Sequence, residues 1–570
     1  MSSQSPDSDA ENNYLATAMA WSWLTLVGVT IGYTVAVRAN AYIRTIACLN
    51  NETQRYFNTT NYFHGAFKKY LLDAPMFRKR HHREFRLSSA LNMGIIPSRI
   101  QTLFLIAYLV MAITLTTYKI DYKAPMDEIL NTFVDRTGIL ATWNMLPLFL
   151  LSSRNNPLLA LTGITFDTYN LIHRWLGRIV VAEVIVHGAT WLATKVTKQG
   201  LKDILTSENS SSQVIGGTIA GFTFIALLLH SPSVIRHAFY ETFLYLHILL
   251  VMTSIGALWY HFGQFPMMKQ ILCGVIAIWV LERTLRMARI IYHNVGKGGT
   301  RAECEVLPGD VVRVTMKLAR PWRFQPGQHA YIYMPSVGFH TNHPFTVAWS
   351  EEEQDTSMEK LPLANQDILE MRKTSVSFIV RRRTGFTDSL WKKAQNSSSG
   401  KFTTAAFLEG PYGSQNLHSY GTVLLFAAGV GITHQVPHVR DLVAGYSNRT
   451  VAARKIVLVW IIQSPEHLEW IRPWMTSILA QPKRRDVLKI LLFVTRPRST
   501  KEIQSPSATV QMFPGKPNVR ALLDQEVGTA VGAIGVSVCG VGALADEVRK
   551  GCRTWMDRVN IDFFEESFTW

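Results

Sequence analysis

The stretch LIHRWLGRIVVAEVIVHGATW, residues 171–191, is apolar enough to cross a membrane, yet it contains two histidines. Fourteen residues separate His173 from His187. That interval is about 3.9 helical turns, so both side chains lie on one helix face, roughly 21 Å apart along the axis. Polar groups are costly inside a bilayer and mark functional positions there. The interval therefore predicts a membrane helix that presents imidazoles at two depths.

A second apolar stretch, YETFLYLHILLVMTSIGALWYHFG at 240–263, repeats the interval with His247 and His261. If both helices cross from the same side, His173 lies level with His247, and His187 with His261. Two imidazoles on one haem iron suit electron transfer, because no position on the metal remains open. The two levels predict two haem b groups stacked across the bilayer. The alternatives are hydrogen-bonded packing, which explains any single histidine equally well, and a proton relay, which does not require the repeated spacing.

Two arginines follow the first histidine closely. Arg174 and Arg178 are candidates for pairing with haem propionates, because an intramembrane arginine needs a partner. Both would serve equally as positive anchors at the inner membrane face, and the sequence leaves the two interpretations open. His230 and His237 lie around the turn after the fifth apolar stretch and are interpreted as interfacial.

A spanning helix needs ~20 apolar residues, and nearly all the apolar stretches that approach this length lie in the first half of the chain. Seven are found, at roughly 14–37, 99–118, 136–153, 171–196, 214–231, 240–261 and 268–289. The segment 38–98 is basic and 119–135 is led by acidic residues, which predicts a cytosolic first loop, an external amino terminus and a cytosolic carboxy-terminal half. Glycosylation sequons at 51 and 58 disagree, but the motif is short and recurs at 448.

The net charge of +17 comes from basic residues that are scattered or lie between apolar segments. This distribution favours contact with membrane lipid and gives no nucleic-acid-binding stripe. The five cysteines are too few and too dispersed for a disulfide framework or a zinc site.

The pattern changes after a glycine-rich linker at 294–300. Short β-rich runs predict an antiparallel β-barrel over 300–415. Apolar strands that alternate with helical stretches predict an open parallel α/β domain of Rossmann type over 416–570. The expected fold is a polytopic α-helical membrane domain, 99–290, preceded by a helix and basic loop, 1–98, and followed by these two domains.

Two motifs in the predicted barrel carry groups that suit a flavin. HPFTVAW at 343–349 places the Thr346 hydroxyl where an isoalloxazine ring would lie. RRRTGFTDSL at 381–390 offers a charge at Arg381, close backbone approach at Gly385 and a donor at Thr387 for a pyrophosphate. Either stretch alone is also compatible with a plain hairpin; their order before an α/β domain favours FAD.

The α/β domain has two strand-turn-helix junctions. In LLFAAGVGITHQVPHVRDL, Gly429 and Gly431 allow backbone amides and a helix amino terminus to hold a dinucleotide phosphate. In VSVCGVGALADEVR, Cys539 and Gly540 lie at the second turn. The thiol is a candidate for contact with a nicotinamide ring, and a buried strand-end cysteine is the alternative.

Seven motifs occur in one order between about 136 and 570: HRWLGR, YETF, HPFT, EGPYG, GVGIT, CGVGALADEVR and FFEESFTW. In these residues the chain resembles the fungal ferric or cupric reductases of the transmembrane family that includes the NADPH oxidases. The resemblance implies a six-helix ferric-reductase domain with one extra helix, then FAD-binding and NADPH-binding domains like those of ferredoxin-NADP reductases.

The resemblance also implies roles for single residues. The haem ligands would be His173, His187, His247 and His261; the FAD motif His343, Pro344, Phe345 and Thr346; the NADPH loop Gly429, Gly431, Ile432 and Thr433. Trp570 resembles the terminal aromatic residue that stacks on the flavin where nicotinamide must enter, and with Cys539 it completes the catalytic candidates. Gln463 stands where relatives often have an arginine for the NADPH 2′-phosphate, so Arg496 or Arg498 would supply that charge. Val541 replaces a common proline.

The implied activity is electron transfer from cytosolic NADPH through FAD and two haems to chelated Fe(III) or Cu(II) outside the cell, in support of metal uptake. The expected location is the plasma membrane, and the expected partners are lipid, the metal chelate, iron or copper uptake proteins and a second copy of the chain. A rival activity is reduction of O2 to superoxide. A rival of another class is a haem-binding transporter without electron transfer.

Overall fold

The computed structural model describes residues 6–49, 52–80, 96–200, 211–296, 298–339, 341–354, 372–497, 499 and 503–566. The chain forms two compact units. The first contains Met1–Val37 and His82–Arg286, and the second contains Arg38–His81 and Met287–Thr569.

Long helices dominate the first half of the chain. They are, with their short companions, α1 (Pro6–Ala47), α2 (Tyr62–Phe67), α3 (Arg99–Thr117), α4 (Met126–Ser152), α5 (Pro157–Thr162), α6 (Phe166–Gln199), α7 (Ser212–His230), α8 (Ser233–Ala238), α9 (Tyr240–His261) and α10 (Pro266–Asn294). Among the described residues, five helices are long and apolar enough to span a membrane: Ala10–Ala47, Arg99–Thr117, Phe166–Lys198, Ser212–His230 and Tyr240–His261. The third and seventh predicted spans fall on α4 and α10, which are 27 and 29 residues long.

The first unit has apolar residues both inside and outside. Leu176, Leu272 and Val275 are fully buried at its centre. Outward-facing Phe222 and Leu229 are 70% and 68% exposed. Large exposed apolar surfaces are rare on soluble monomers and are expected on helices that face lipid. The fold prediction for this half of the chain is confirmed.

The next eight strands form two antiparallel sheets. They are β1 (Arg301–Leu307), β2 (Val311–Lys317), β3 (His329–Tyr333), β4 (Asn342–Thr346), β5 (Trp349–Gln354), β6 (Arg372–Arg381), β7 (Lys401–Ala405) and β8 (Phe407–Tyr412). One sheet has the order β5-β6-β2-β1-β7 and the other β4-β3-β8. Cys304, Val314 and Phe378 are buried between them, and α11 (Phe386–Gln395) packs Leu390 into the same core.

The last six strands form one parallel sheet. They are β9 (Thr422–Ala428), β10 (Lys455–Ile462), β11 (Leu488–Val494), β12 (Val510–Pro514), β13 (Ile534–Cys539) and β14 (Ile561–Glu566). The helices are α12 (Ile432–Asn448), α13 (Arg472–Leu479), α14 (Arg484–Val487), α15 (Val519–Gly528) and α16 (Gly542–Trp555). The order β12-β11-β10-β9-β13-β14 reverses direction between β9 and β13. Ligands bind at such a switch point, beyond the carboxyl ends of the two strands.

The sequence predicts a basic cytosolic loop over 38–98, and its first part, Arg38–His81, belongs to the second unit. It contains a short 3-10 helix at Glu52–Phe57, α2 and a π-helical turn at Lys68–Leu72. Thr59 forms an isolated β-bridge with Val559, just before β14. The segment therefore packs on the edge of the parallel sheet.

Candidate functional site

The four membrane histidines lie in two pairs. The ring centres of His173 and His247 are 6.5 Å apart, and those of His187 and His261 are 6.0 Å apart. A first-row metal ion lies about 2 Å from an imidazole nitrogen, so two rings on opposite sides of one ion have centres about 6 Å apart. Each pair therefore has the separation that one metal ion between two imidazoles requires, and the two helices run in the same direction, as the sequence predicted.

Three of the four rings are held through Nδ1. His173 Nδ1 lies 2.9 Å from the carbonyl oxygen of Leu148, His187 Nδ1 2.7 Å from that of Val134, and His261 Nδ1 3.0 Å from that of Gln213. A carbonyl only accepts, so Nδ1 carries the proton and the lone pair remains on Nε2. His247 Nδ1 is buried without a hydrogen-bond partner among the described residues. This arrangement suits ligation of a metal through Nε2.

Glycines on the neighbouring helices make room for the outer pair. A Cβ on Gly138 would lie 3.0 Å from His187 Nδ1, and a Cβ on Gly217 would lie 2.6 Å from His261 Nδ1. A carbon does not approach a ring atom as closely as 2.6 Å, so Gly217 is required by the present position of the His261 ring.

Gly217→Ala is therefore expected to displace His261. For the haem that the sequence predicts between His187 and His261, retention should weaken about tenfold, as it does when groups that orient metal ligands are changed. Gly221→Ala, one turn along α7, is the matched control because a Cβ there meets nothing within 4 Å. The measurement is haem content and the optical spectrum of the purified protein. Equal haem content in the two variants would contradict the assignment.

Arg174 and Arg178, the two arginines predicted as propionate partners, lie near a third arginine, Arg236, that was not predicted. Arg174 interacts electrostatically with Arg236 and Arg178, and the Arg178 guanidinium lies 4.7 Å from the Trp175 ring centre. Nε of Arg236 is buried and has no hydrogen-bond partner in the part of the chain that the structure describes. Three neighbouring guanidinium groups repel one another and suit an anion such as a carboxylate.

A polar network between the two histidine levels was also missed. Glu183 on α6 is 6% exposed; its Oε2 accepts a hydrogen bond from Asn144 at 3.3 Å, and Tyr108 donates to Asn144 at 2.8 Å. Glu183 Oε1 is buried without a partner among the described residues. The signal in the sequence was a lone acidic residue four positions before His187, which marks a functional candidate in a membrane helix.

The two candidate flavin motifs meet in the second unit. His343 on β4 packs against Phe386, the first residue of α11, with ring centres 4.8 Å apart. Thr346 ends β4 and lies opposite His329 on β3. Burial lowers the pKa of His343, so its imidazole is neutral at physiological pH. The motifs are forty residues apart in sequence, and the barrel brings them to one edge.

A pyrophosphate would fit at the start of α11. Gly385 has a φ of +66°, and a Cβ there would meet nothing within 4 Å, so the backbone is open to a ligand. The Arg381 side chain is exposed at the end of β6. Thr387 Oγ1 accepts a hydrogen bond from the Arg383 amide at 2.9 Å, which orders the turn. A helix amino terminus beside a guanidinium attracts phosphate groups.

The two glycine turns of the parallel sheet are packed against each other. A Cβ on Gly431 would lie 2.6 Å from the carbonyl carbon of Cys539. A Cβ on Gly540 would lie 2.8 Å from the Cβ of Ala428. Gly429 instead faces open space, and Ile432 and Thr433 begin α12. Glycine is thus required where the turns touch, and the open side is available to a dinucleotide.

Cys539 ends β13 opposite Glu566 of β14 and is 8% exposed. Burial, and then the charges of Glu566 and Glu565, raise the pKa of its thiol. The thiol is therefore neutral and suits contact with a ring more than nucleophilic chemistry. Trp570 lies outside the described residues.

The candidate contacts to a 2′-phosphate lie at the ends of β10 and β11. The Arg496 amide donates to the Gln463 carbonyl oxygen at 3.0 Å, and the Arg496 side chain is exposed. Arg496 is thus a neighbour of Gln463. Its side chain could therefore supply the positive charge that relatives often carry at position 463. Arg498 lies outside the described residues. Val541 precedes α16 in an extended conformation that does not require proline.

Two buried histidines follow the first glycine turn. Burial, and then the charge of His329, lower the pKa of His434 to about 4, while burial and then His434 hold the pKa of His438 well below its usual range. The unfolded chain takes up protons below about pH 6.5 and the folded domain does not, so stability is lost as pH falls from 6.5 towards 4. One pKa unit is about 1.4 kcal/mol, so His434 alone is expected to remove about 3 kcal/mol by pH 4. This loss can be measured by thermal unfolding, with flavin release as the signal, at several pH values. If the stability of His434→Gln fell with pH as steeply as that of the unaltered protein, the prediction would be contradicted.

Three known family models match the chain, in the same order as the three domains described above. The model described as "Ferric reductase like transmembrane component" matches residues 137–258. The model described as "FAD-binding domain" matches 297–416, and "Ferric reductase NAD binding domain" matches 420–553. The first match contains His173, His187 and His247, and the other two contain all the flavin and dinucleotide candidates except Trp570.

Three curated relatives are similar over most of their length. Ferric/cupric reductase transmembrane component 2 of Saccharomyces cerevisiae is 25% identical over 589 residues, which cover 95% of this chain and 76% of the yeast protein. Ferric reductase transmembrane component 3 of the same yeast is 25% identical, covering 84% and 68%. Ferric/cupric reductase transmembrane component 1 of Candida albicans is 25% identical, covering 93% and 71%. The chain therefore carries a ferric reductase-like transmembrane component, an FAD-binding domain and a ferric reductase NAD-binding domain in one polypeptide, and over most of its length it is similar to fungal ferric and cupric reductases.

Proposed function

We propose that the protein is a transmembrane metalloreductase that takes electrons from cytosolic NADPH and delivers them to chelated Fe(III) or Cu(II) on the other side of the membrane, in support of metal uptake. The observation that carries this proposal is the pair of facing histidines at each of two depths, 6.5 and 6.0 Å between ring centres. They occur in one chain with FAD-binding and NAD-binding domains. Two histidine pairs in one chain with these two domains would provide a route for electrons across the bilayer.

The membrane unit would hold two b-type haems, the inner one by His173 and His247 and the outer one by His187 and His261. Bound haem supplies one-electron redox chemistry. The protein orients the ligand rings through backbone carbonyls, and at the inner level Arg174, Arg178 and Arg236 would neutralise carboxylates. Two imidazoles on one haem iron would leave no open position on the metal, which would favour electron transfer over ligand chemistry.

The second unit would hold FAD between the β4 end and α11, and NADPH at the turns after β9 and β13. FAD supplies the change from two-electron to one-electron transfer. The side chains and backbone of the second unit would bind FAD and NADPH and orient their rings. Thr346 would face the isoalloxazine ring, Arg381 and the Gly385 amide would bind the pyrophosphate, and Cys539 with Trp570 would flank the site of the nicotinamide. Gly429 leaves room for the dinucleotide phosphates.

The orientation of the chain in the membrane is inferred from the second unit. Residues 38–80 are basic and hydrogen-bond to the parallel sheet, as in the contact between the Asn560 amide and the Asn58 carbonyl oxygen at 2.8 Å. Segments that touch lie on one side of a membrane, so the sequon at 58 lies with the nucleotide domain, in agreement with the positive-inside rule. We assign both to the cytosol and the amino terminus to the outside, in the plasma membrane.

The proposal is tested in membranes that contain the protein by measuring NADPH-driven reduction of a ferric chelate with and without superoxide dismutase. A rate that dismutase leaves unchanged is expected. If dismutase abolished the signal, superoxide would be the product, and oxygen, not the metal, would be the acceptor. A cupric chelate measured in parallel shows the preferred metal.

A further inference from the structure

The segment of residues 38–80, here called the docking segment, makes three separate sets of contacts with the parallel sheet. The first set consists of hydrogen bonds from side chains to backbone carbonyl oxygens. Gln54 Nε2 donates to the Ala452 carbonyl oxygen at 2.7 Å, and Arg454 donates to the Leu49 carbonyl oxygen at 2.6 Å. A Cβ on Gly421 would lie 2.5 Å from Gln54 Oε1. The Val531 backbone carbonyl already requires glycine at position 421, and the Gln54 side chain fills the space that remains beside it.

The second set surrounds Asp562, the second residue of β14. Lys68 Nζ lies 2.5 Å from Asp562 Oδ1 and also contacts the Ile561 carbonyl oxygen. The Tyr420 hydroxyl donates to Asp562 Oδ2 at 2.7 Å, and the Arg44 guanidinium lies 4.3 Å from the Tyr420 ring centre. Burial alone would raise the pKa of Asp562, but Lys68, Tyr420 and Arg44 together lower it. The start of β14 is thus fixed by two cations of the docking segment.

The third set lies at the other end of β14. The Arg80 amide donates to Asp546 Oδ1 at 3.1 Å, and the Arg80 guanidinium lies 3.7 Å from Glu565 Oε2. Arg549 of α16 bridges the same two carboxylates. The side chains of Arg549, Asp546 and Glu565 are at most 8% exposed. This buried network lies one residue from Glu566, the Cα partner of Cys539.

We propose that the docking segment positions β14, and through it Glu565 and Glu566, beside Cys539. Lys68 and Arg80 are therefore positioning residues for the nicotinamide end of the NADPH site, although neither touches the cofactor. This inference rests on the proposed function, because it concerns the same NADPH site. It also gives a role to the residues before the family match, which begins at 137.

The test uses Arg80→Gln in the full-length protein, with Lys79→Ala as the matched control. Arg80→Gln keeps the backbone donor to Asp546 and removes only the guanidinium next to Glu565, whereas Lys79 is an exposed neighbour. We expect a KM for NADPH or a rate of flavin reduction about tenfold worse in Arg80→Gln, the usual scale for coupling through packed networks. FAD and haem content are expected to stay at the level of Lys79→Ala.

Lys68→Gln and Lys68→Arg test the other end of β14 in the same assay. The first is expected to weaken flavin reduction by NADPH, and the second to restore it, because arginine keeps the charge next to Asp562. Equal kinetics in Arg80→Gln, Lys68→Gln and Lys79→Ala would overturn the inference, as would loss of FAD in step with loss of activity, which indicates a structural role only. Absence of NADPH-driven flavin reduction in the unaltered protein would instead contradict the proposed function.

Discussion

Replacing His187 by alanine is expected to remove the outer haem and to leave the inner one. The ring of His187 faces His261 with 6.0 Å between centres, while the inner pair belongs to a different turn of each helix. The ratio of haem to flavin should fall from about two to about one, because the outer haem would lose one of its two iron ligands. Reduction of the external chelate should become undetectable, while flavin reduction by NADPH stays unchanged.

His230→Ala is the control for this variant. Its Nε2 lies 3.0 Å from the Phe243 carbonyl oxygen, and its ring stacks on Phe243. It is thus held by a hydrogen bond and by packing, and it is a member of neither histidine pair. The two variants are compared by haem content and by the optical spectrum of the reduced protein. Retention of both haem signals in His187→Ala would show that the pairing is wrong.

Gly431→Ala should disable the dinucleotide site. The added Cβ would overlap the carbonyl group of Cys539, which belongs to a backbone that cannot turn away. The two glycine turns would have to separate by about 1 Å, a displacement that can cost about 100-fold in rate. We expect flavin reduction by NADPH to fall by about that factor, with FAD retained.

Gly528→Ala, at the end of α15 in the same domain, gives the comparison. A Cβ there meets nothing within 4 Å, and the residue has no positive φ. Rapid mixing of each variant with NADPH, followed at the flavin absorption band, measures the effect. If Gly431→Ala reacted as fast as Gly528→Ala, the turn after β9 would not be the dinucleotide site.

The sequence predicted most of the fold because its signals were periodic and local. Helices occupy all seven predicted positions, and the alternating strands and helices after 420 form the expected parallel sheet. The histidine pairs could be predicted because equal intervals on two helices define two levels without further knowledge of packing. The glycine turns could be predicted because strand, glycine and helix follow one another directly in the chain.

The features that were missed depend on contacts between distant segments. Lys68 and Asp562 are 494 positions apart, and each is an ordinary charged residue when considered alone. The docking segment also has short 3-10 and π-helical turns, which carry no periodic pattern. Arg236 and Glu183 were visible as charges in or near membrane helices, but only the packing shows which other groups they face.

The central claim is that electrons cross the membrane within this chain, and sealed vesicles of purified protein loaded with FAD and haem test it directly. NADPH is placed on the face of the nucleotide domain, and a membrane-impermeant ferric chelate is placed on the opposite face. We predict reduction of the chelate across the intact bilayer, and its loss in His187→Ala. Reduction only when NADPH and the chelate share one compartment would contradict the account.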